Sequence, residues 1–300
     1  MRVKKKREKP VVDFEKMVVE EESLYGGEVD TTLADEISKK VRVLCWVMTQ
    51  PENHESKARH IKATWGRRCN VLLFMSSKND SSLPAIALPV GEGREYLWEK
   101  TREAFRYIYL HHFQDADWFF KADDDTYVVV ENLRFMLLSY EPKEPVYLGC
   151  KFQPYAKHGY MSGGAGYVLS REALDRLVNG AFPNPMTCPL LQGAEDINVG
   201  VCLAAVGVEG GDSRDEHGGW RFLPFATWNH VDPLPEHEGI IPEWFTNYTA
   251  YPHRRGPGCC SHTAVSFHYV RPEELYEYDY LIYKLRPYGV APCFRGTGAA

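Results

Sequence analysis

Residues 118–132 of this 300-residue chain read Trp-Phe-Phe-Lys-Ala-Asp-Asp-Asp-Thr-Tyr-Val-Val-Val-Glu-Asn, and no other stretch constrains the fold as much. A short apolar run, Trp118 to Phe120, ends in three consecutive carboxylates, Asp123, Asp124 and Asp125, and a helical pattern follows. Carboxylates at this density repel one another unless a cation or solvent relieves them. A strand that ends this way suits a hard divalent metal such as magnesium or manganese, which prefers carboxylate oxygen. A solvated acidic turn is the plainer reading, and the buried-looking strand in front of the triplet weighs against it. Side chains alternate in extended backbone, so Asp123 and Asp125 should share one side. One then meets the metal and the other ribose or a metal-bound water. Metal held this way can bridge a nucleotide diphosphate and neutralise charge as the diphosphate departs. An EF-hand is a poor match, because it needs alternating ligands, a glycine and a distant Glu.

The flanking pattern says what carries the triplet. Residues 41–48 and 71–75 read as strands, 85–90 as a shorter third and 118–122 as another. A helix with Leu97, Thr101, Ala104, Phe105 and Ile108 on one face precedes the last of these, and one with Leu133, Met136, Leu137 and Tyr140 follows it. Alternating strands and helices predict an α/β fold with a mostly parallel twisted sheet flanked by helices. Ligands of such sheets bind at the carboxyl ends of the strands, where the triplet falls. The second half is less regular. It holds a glycine-rich loop at 160–166, a helix capped by Ser170, another opened by residues 193–196, a last strand at 265–269 and a helix from Pro272. Between them, residues 222–258 are rich in proline and aromatics with weak periodicity.

A net charge of −6 argues against a nucleic-acid binder, and the one basic run, residues 2–9, reads as a solvated tail. The most apolar N-terminal run, residues 41–49, contains Arg42 and is far shorter than the ~20 residues of a spanning helix. With no apolar segment after the basic start, a signal peptide is not expected either. Taken literally this predicts a cytosolic protein; the alternative is a sequence that begins after a membrane anchor. Eight cysteines without Cys-x-x-Cys spacing disfavour structural zinc. Their even count, with an acceptor tripeptide at Asn247-Tyr-Thr249, is compatible with an oxidising lumen.

Several other residues are candidates for chemistry. Glu195-Asp196 lies near a helix start, where amides and dipole favour an ionised carboxylate suited to a general base; acidic residues also favour helix N-termini for stability alone. His268, inside the apolar run 265–270, is either a satisfied strand residue or a neutral imidazole that completes a metal shell with Asp125. Gly163 and Gly164 allow close approach of a substrate to backbone, and match neither a Walker loop nor a dinucleotide fingerprint. Asp212 sits in a polar turn with a possible sugar contact, and Trp244 is either core or a sugar-stacking aromatic. No Gly-x-Ser-x-Gly motif is present, which disfavours a serine hydrolase.

Longer motifs carry a resemblance. Residues 121–134 (Lys-Ala-Asp-Asp-Asp-Thr-Tyr-Val-Val-Val-Glu-Asn-Leu-Arg), 160–170, 211–215, 256–261, 264–270 and 285–289 resemble the core 1 β1,3-galactosyltransferases of mucin-type O-glycosylation. The resemblance runs from about residue 41 to 289 and implies a GT-A fold. The division it suggests is a flexible stem at 1–40 with one short helix, a catalytic domain at 41–290 and a tail at 291–300. It implies UDP-galactose as donor, Mn2+ as cofactor, and GalNAc α-linked to Ser or Thr of a glycoprotein as acceptor, with galactose transferred by a single inverting displacement. By the same resemblance Asp125 and His268 are metal ligands, and Asp123 and Asp124 are nucleotide-side carboxylates, with Asp123 counted in the metal set as well. Asp196 is the base that takes the proton of the GalNAc 3-hydroxyl. It further implies a Golgi type II membrane protein acting as a homodimer, with bridges Cys45–Cys69 and Cys188–Cys202 and an adjacent pair Cys259-Cys260. Cys150 and Cys293 have no assigned partner unless they join each other. Three features depart from the family: the anchor is absent, Trp244-Phe-Thr246 replaces Trp-Tyr-Trp, and the ending after Val290 differs. Two alternatives stand beside the galactosyltransferase reading, a non-catalytic chaperone-like relative and a β1,3-glycosyltransferase for another sugar. The chaperone reading predicts loss of the metal-binding aspartates, and all are present.

Overall fold

The computed structural model describes residues 30–188, 193–234 and 241–287. The predicted tail at 291–300, Cys293 and most of the stem lie outside the described residues. A helix, α1 (Thr32–Lys40), occupies the end of the predicted stem and packs Ile37 against the core.

The central sheet has six strands: β1 (Val43–Met48), β2 (Val71–Ser76), β3 (Ala85–Ala87), β4 (Trp118–Asp123), β6 (Tyr147–Gly149) and β9 (Tyr167–Ser170), in the order β3-β2-β1-β4-β9-β6. Strands β3, β2, β1 and β4 run parallel, and β9 is antiparallel to both β4 and β6. Every residue of β1 is buried. Its alternate side chains feed two cores, Val43, Cys45 and Val47 on one face and Leu44, Trp46 and Met48 on the other. That is the reason for its continuous apolar run: a strand covered on both faces has no polar side. Helix α3 (Leu97–His112) covers the second face through Trp98, Phe105 and Ile108, and α4 (Val130–Leu137) covers the first through Leu133, Met136 and Leu137.

A smaller sheet sets the other wall of the site. Strand β5 (Tyr127–Val128) pairs antiparallel with β11 (Ser266–Phe267), which pairs parallel with β10 (Phe222–Leu223). A third pair joins β7 (Lys151–Phe152) to β8 (Tyr160–Met161) ahead of the glycine loop. Cys45–Cys69 ties β1 to the approach to β2, Cys188–Cys202 ties a loop to α6 (Glu195–Ala205), and Cys259–Cys260 bridges adjacent residues. Cys150 is buried and has no bridge among the described residues.

The helical run after β1 starts at Pro51, three residues past the end of the strand. Pro51, with φ pre-set by its ring, begins a helical turn at Pro51–Asn53, and a wide turn, His54–Ala58, leads into α2 (Arg59–Ala63). Ser56 therefore sits inside the run, its hydroxyl donating to the Glu52 carbonyl. Among the described residues of the segment 222–258, weakly periodic in sequence, two short helices form, α7 (Thr227–Val231) and α8 (Glu243–Tyr248).

Candidate active site

Strand β4 is buried as far as Ala122, and the chain reaches solvent only at Asp123. The turn that follows separates the three carboxylates. Asp123 and Asp125 face His268, and the three ligand atoms these residues offer lie within 4.8 Å of one another. His268 Nε2 is 3.3 Å from Asp125 Oδ1 and 4.0 Å from Asp123 Oδ2. Asp124 turns the other way. Its Oδ2 accepts from Thr49 Oγ1 at 2.9 Å and Asn53 Nδ2 at 2.7 Å, and its Oδ1 accepts from Lys57 Nζ at 2.8 Å. Asp124 thus ties the segment after β1 to the acidic turn.

Register in the small sheet brings His268 to this place. Phe267 pairs with Tyr127, so the next residue of β11 emerges beside the acidic turn. The amide of His268 donates to Leu223 O and that of Val270 to Asp125 O. Tyr269 between them adopts φ +56°, an uncommon conformation for a side chain of its size and one that clusters at functional sites. Its exposed ring stacks on the His268 imidazole, with centroids 3.9 Å apart.

The donor set fits a hard divalent cation. Two carboxylates and an imidazole nitrogen converge, and the Pro224 carbonyl lies 3.2 Å from His268 Nδ1. That carbonyl accepts the Nδ1 hydrogen, the support metal-ligating histidines ordinarily have. Burial pushes the Asp125 carboxyl up, but His268, Lys57 and Lys121 outweigh it and hold the group below the usual carboxylate range. It stays ionised, as a ligand must.

The glycine loop joins this cluster to the acidic pair of α6. A Cβ on Gly164 would lie 2.1 Å from His268 Cε1, and one on Gly163 would lie 2.9 Å from Glu195 Oε2. Glycine is needed at both positions because the His268 and Glu195 side chains occupy the space. The Gly163 amide donates to Asp196 Oδ2 at 3.3 Å, and the Ile197 amide to Asp196 Oδ1 at 2.9 Å. Burial raises the Asp196 carboxyl above its ordinary value, against the pull of those two amides. Glu195 points inward instead. Its Oε1 accepts from Tyr167 at 2.6 Å and Thr101 at 3.2 Å, and burial raises it too, opposed by Lys121. Asp196 is the member of the pair left partly open for chemistry.

The remaining candidates lie apart. Asp212 chelates the Arg214 guanidinium, at 2.8 Å and 3.1 Å, and contacts none of the other candidate residues. Trp244 is 44% exposed on α8 and belongs to an aromatic chain: its ring lies 6.0 Å from Phe225, which lies 6.4 Å from Tyr269. Lys121, Lys57 and Tyr269 were not singled out from sequence. Lys121 was findable, because two residues before Asp123 in a strand is the same side. Lys57 carried no signal, since it reaches Asp124 only through the wide turn at His54–Ala58.

Residues 38–225 match the Fringe-like family. The chain belongs to that family. It is also 49% identical over 261 residues, 87% of this chain and 71% of the relative, to the Xenopus laevis glycoprotein-N-acetylgalactosamine 3-beta-galactosyltransferase 1. The human beta-1,3-glucosyltransferase is 27% identical over 57% of this chain and 34% of its own length. Mouse chondroitin sulfate synthase 3 is 30% identical over 54% of this chain and 20% of its own.

Proposed function

We propose that this chain is a galactosyltransferase that moves galactose from UDP-galactose to the 3-hydroxyl of GalNAc on a glycoprotein Ser or Thr, with inversion. The 49% identity to the Xenopus enzyme supports the sugar and the acceptor. The observation that carries the chemistry is the Gly163-Gly164 pair, which lies against Asp196 on one side and His268 on the other. The proposed base and the proposed metal-binding cluster thereby flank one short loop.

Asp196 accepts the proton of the acceptor hydroxyl as its oxygen forms a bond to the galactose anomeric carbon. The bond from that carbon to the UDP oxygen breaks in the same displacement, and the electron pair leaves with the diphosphate. A raised carboxyl pKa makes Asp196 a better proton acceptor than an ordinary aspartate. Asp123, Asp125 and His268 would hold a divalent cation, for which we propose Mn2+, and that cation when bound would supply charge neutralisation to the diphosphate. Lys57, which lies 3.8 Å from Asp125 Oδ2, adds positive charge on the same side. Tyr269 presents an exposed ring against His268 for stacking on a sugar or base, and Trp244 presents another further along the same aromatic chain, beyond Phe225.

Three disulfides support an oxidising compartment, and the family resemblance supports the Golgi lumen and a homodimer. Among the described residues no helix is long and apolar enough to cross a membrane. A second reading, a β1,3-glycosyltransferase for another sugar, draws on the human beta-1,3-glucosyltransferase match. A panel of UDP-sugars and glycopeptide acceptors, with and without Mn2+, separates the two. Galactose transfer to a GalNAc-peptide is expected, and its absence alongside transfer from UDP-glucose would replace the first reading by the second.

A further inference from the structure

Lys121 is a fully enclosed ammonium on β4, and the displacement described above gives it no role. Its Nζ lies 2.6 Å from Asp123 Oδ1, 3.0 Å from the Gly163 carbonyl and 3.9 Å from Glu195 Oε2. Only 3% of its side chain is exposed, and it lies over the Tyr167 ring at 5.9 Å. Isolated buried charges are strongly unfavourable, so an ammonium here persists only because three acceptors surround it. Those acceptors come from three separate elements: the acidic turn, the glycine loop and the start of α6.

We propose that Lys121 is a positioning residue that locks the metal-binding carboxylates to the Gly163–Asp196 side of the site, and that its charge holds metal affinity below what the ligand set alone would give. The inference rests on the metal-dependent transfer reading above. By taking Asp123 Oδ1, the ammonium leaves Oδ2 turned toward His268. By taking the Gly163 carbonyl, it fixes the residue whose amide donates to Asp196. The chain Asp123–Lys121–Gly163–Asp196 thus sets the distance between the cluster and the base through three hydrogen bonds. A misplacement of about 1 Å between such groups costs roughly a hundredfold in rate. The same ammonium opposes a second positive charge at Asp123. At an effective dielectric of about 20, a neighbouring unit charge is worth more than a factor of ten in binding.

Isothermal calorimetry with Mn2+ alone, beside galactose transfer, tests this on the full chain and its variants. Lys121→Met is expected to bind Mn2+ about tenfold more tightly while its turnover falls about a hundredfold. Lys121→Arg keeps the charge and is expected to hold Mn2+ affinity within about threefold, yet to lose turnover, because a planar fork cannot meet three acceptors arranged around one nitrogen. Lys121→Met leaves Glu195 buried without its cation, so a paired variant with Glu195→Gln protects folding. Its amide oxygen still accepts from Tyr167 and Thr101, and the same tightening is expected. A side chain that merely fills space would leave Mn2+ affinity unchanged throughout. Unchanged or weakened Mn2+ binding in both methionine variants, or turnover within threefold of the parent, overturns the proposal. If the parent transfers no galactose, the activity reading falls, and the Mn2+ titrations still decide the role of Lys121.

Discussion

The acidic turn after β4 and the aromatic segment at 222–258 flank the same histidine, yet they are held by different forces. On the first side the parts are charged, and sheet register places them: Asp123 ends β4, and His268 follows Phe267 in its ladder with Tyr127. On the second side regular structure is short, and rings do the holding. Phe245 is fully buried among Phe152, Trp220, Phe225 and His253. Charge has to sit within a fraction of an ångström to be useful, and register delivers that. Aromatic packing tolerates more drift and suits a wall that meets ligands of varied shape. The aromatic segment and the carboxylates at the start of α6 respond to acid with opposite sign. Burial raises Asp196 and Glu195, whereas it lowers His230 and His253, to about 3 and about 4.

The largest break in this comparison comes from the charged side. Asp125→Ala or His268→Ala should abolish Mn2+-dependent UDP binding by calorimetry and lower transfer by about 10^4-fold, since a metal's charge stabilisation is worth several kcal/mol. UDP binding that still depends on Mn2+ would remove both residues from the ligand set. Asp196→Asn should lower kcat by about 10^3-fold and leave UDP and Mn2+ affinity within about threefold. In the parent, kcat should fall tenfold per pH unit below the Asp196 pKa. Because burial raises that pKa, the acid limb should lie above the ~3.9 of an ordinary aspartate. An acid limb that persists in a weakly active Asp196→Asn would assign the limb to another group.

How legible each region was in sequence follows the same division. The apolar run before the triplet marked β4 to within one residue, because a strand buried on both faces leaves a continuous pattern. Alternation put Asp123 and Asp125 on one side. They do share it, but a turn after Asp123 rather than extended backbone brings Asp125 there. Alternation within β4 would have put Lys121 on the side of Asp123 too. What the residues alone left open was partnership across the chain. His268 and Asp125 are 143 positions apart and meet only through the pairing of β5 with β11. Asp196 is near Gly163 only because the glycine loop and the start of α6 share one end of the sheet. Family resemblance supplied the first of these pairings and not the second, and no local pattern carried either. The segment 222–258 resisted both routes. Its short helices are fixed by ring contacts between distant positions, which leave no period to read.

The smallest expected effect tests the aromatic side. His230 is fully buried, and its Nδ1 lies 3.0 Å from His253 Nε2. Burial holds both rings neutral well below the ordinary value of 6.5. As pH falls from 7 to 5 the unfolded chain therefore protonates these imidazoles and the folded chain does not. Stability is lost over that window, by at most about 2 kcal/mol per imidazole. Asp196 and Glu195 act the other way, since a raised carboxyl takes up its proton more readily in the folded state. His253→Gln keeps a donor and acceptor beside His230 without a titrating ring. Urea unfolding at pH 7 and pH 5 should show a smaller acid loss in this variant, by about 1–2 kcal/mol, with Mn2+ binding at pH 7 unchanged. An acid loss equal to the parent's would mean that His253 is already solvated, and that the aromatic wall is looser than its ring contacts describe.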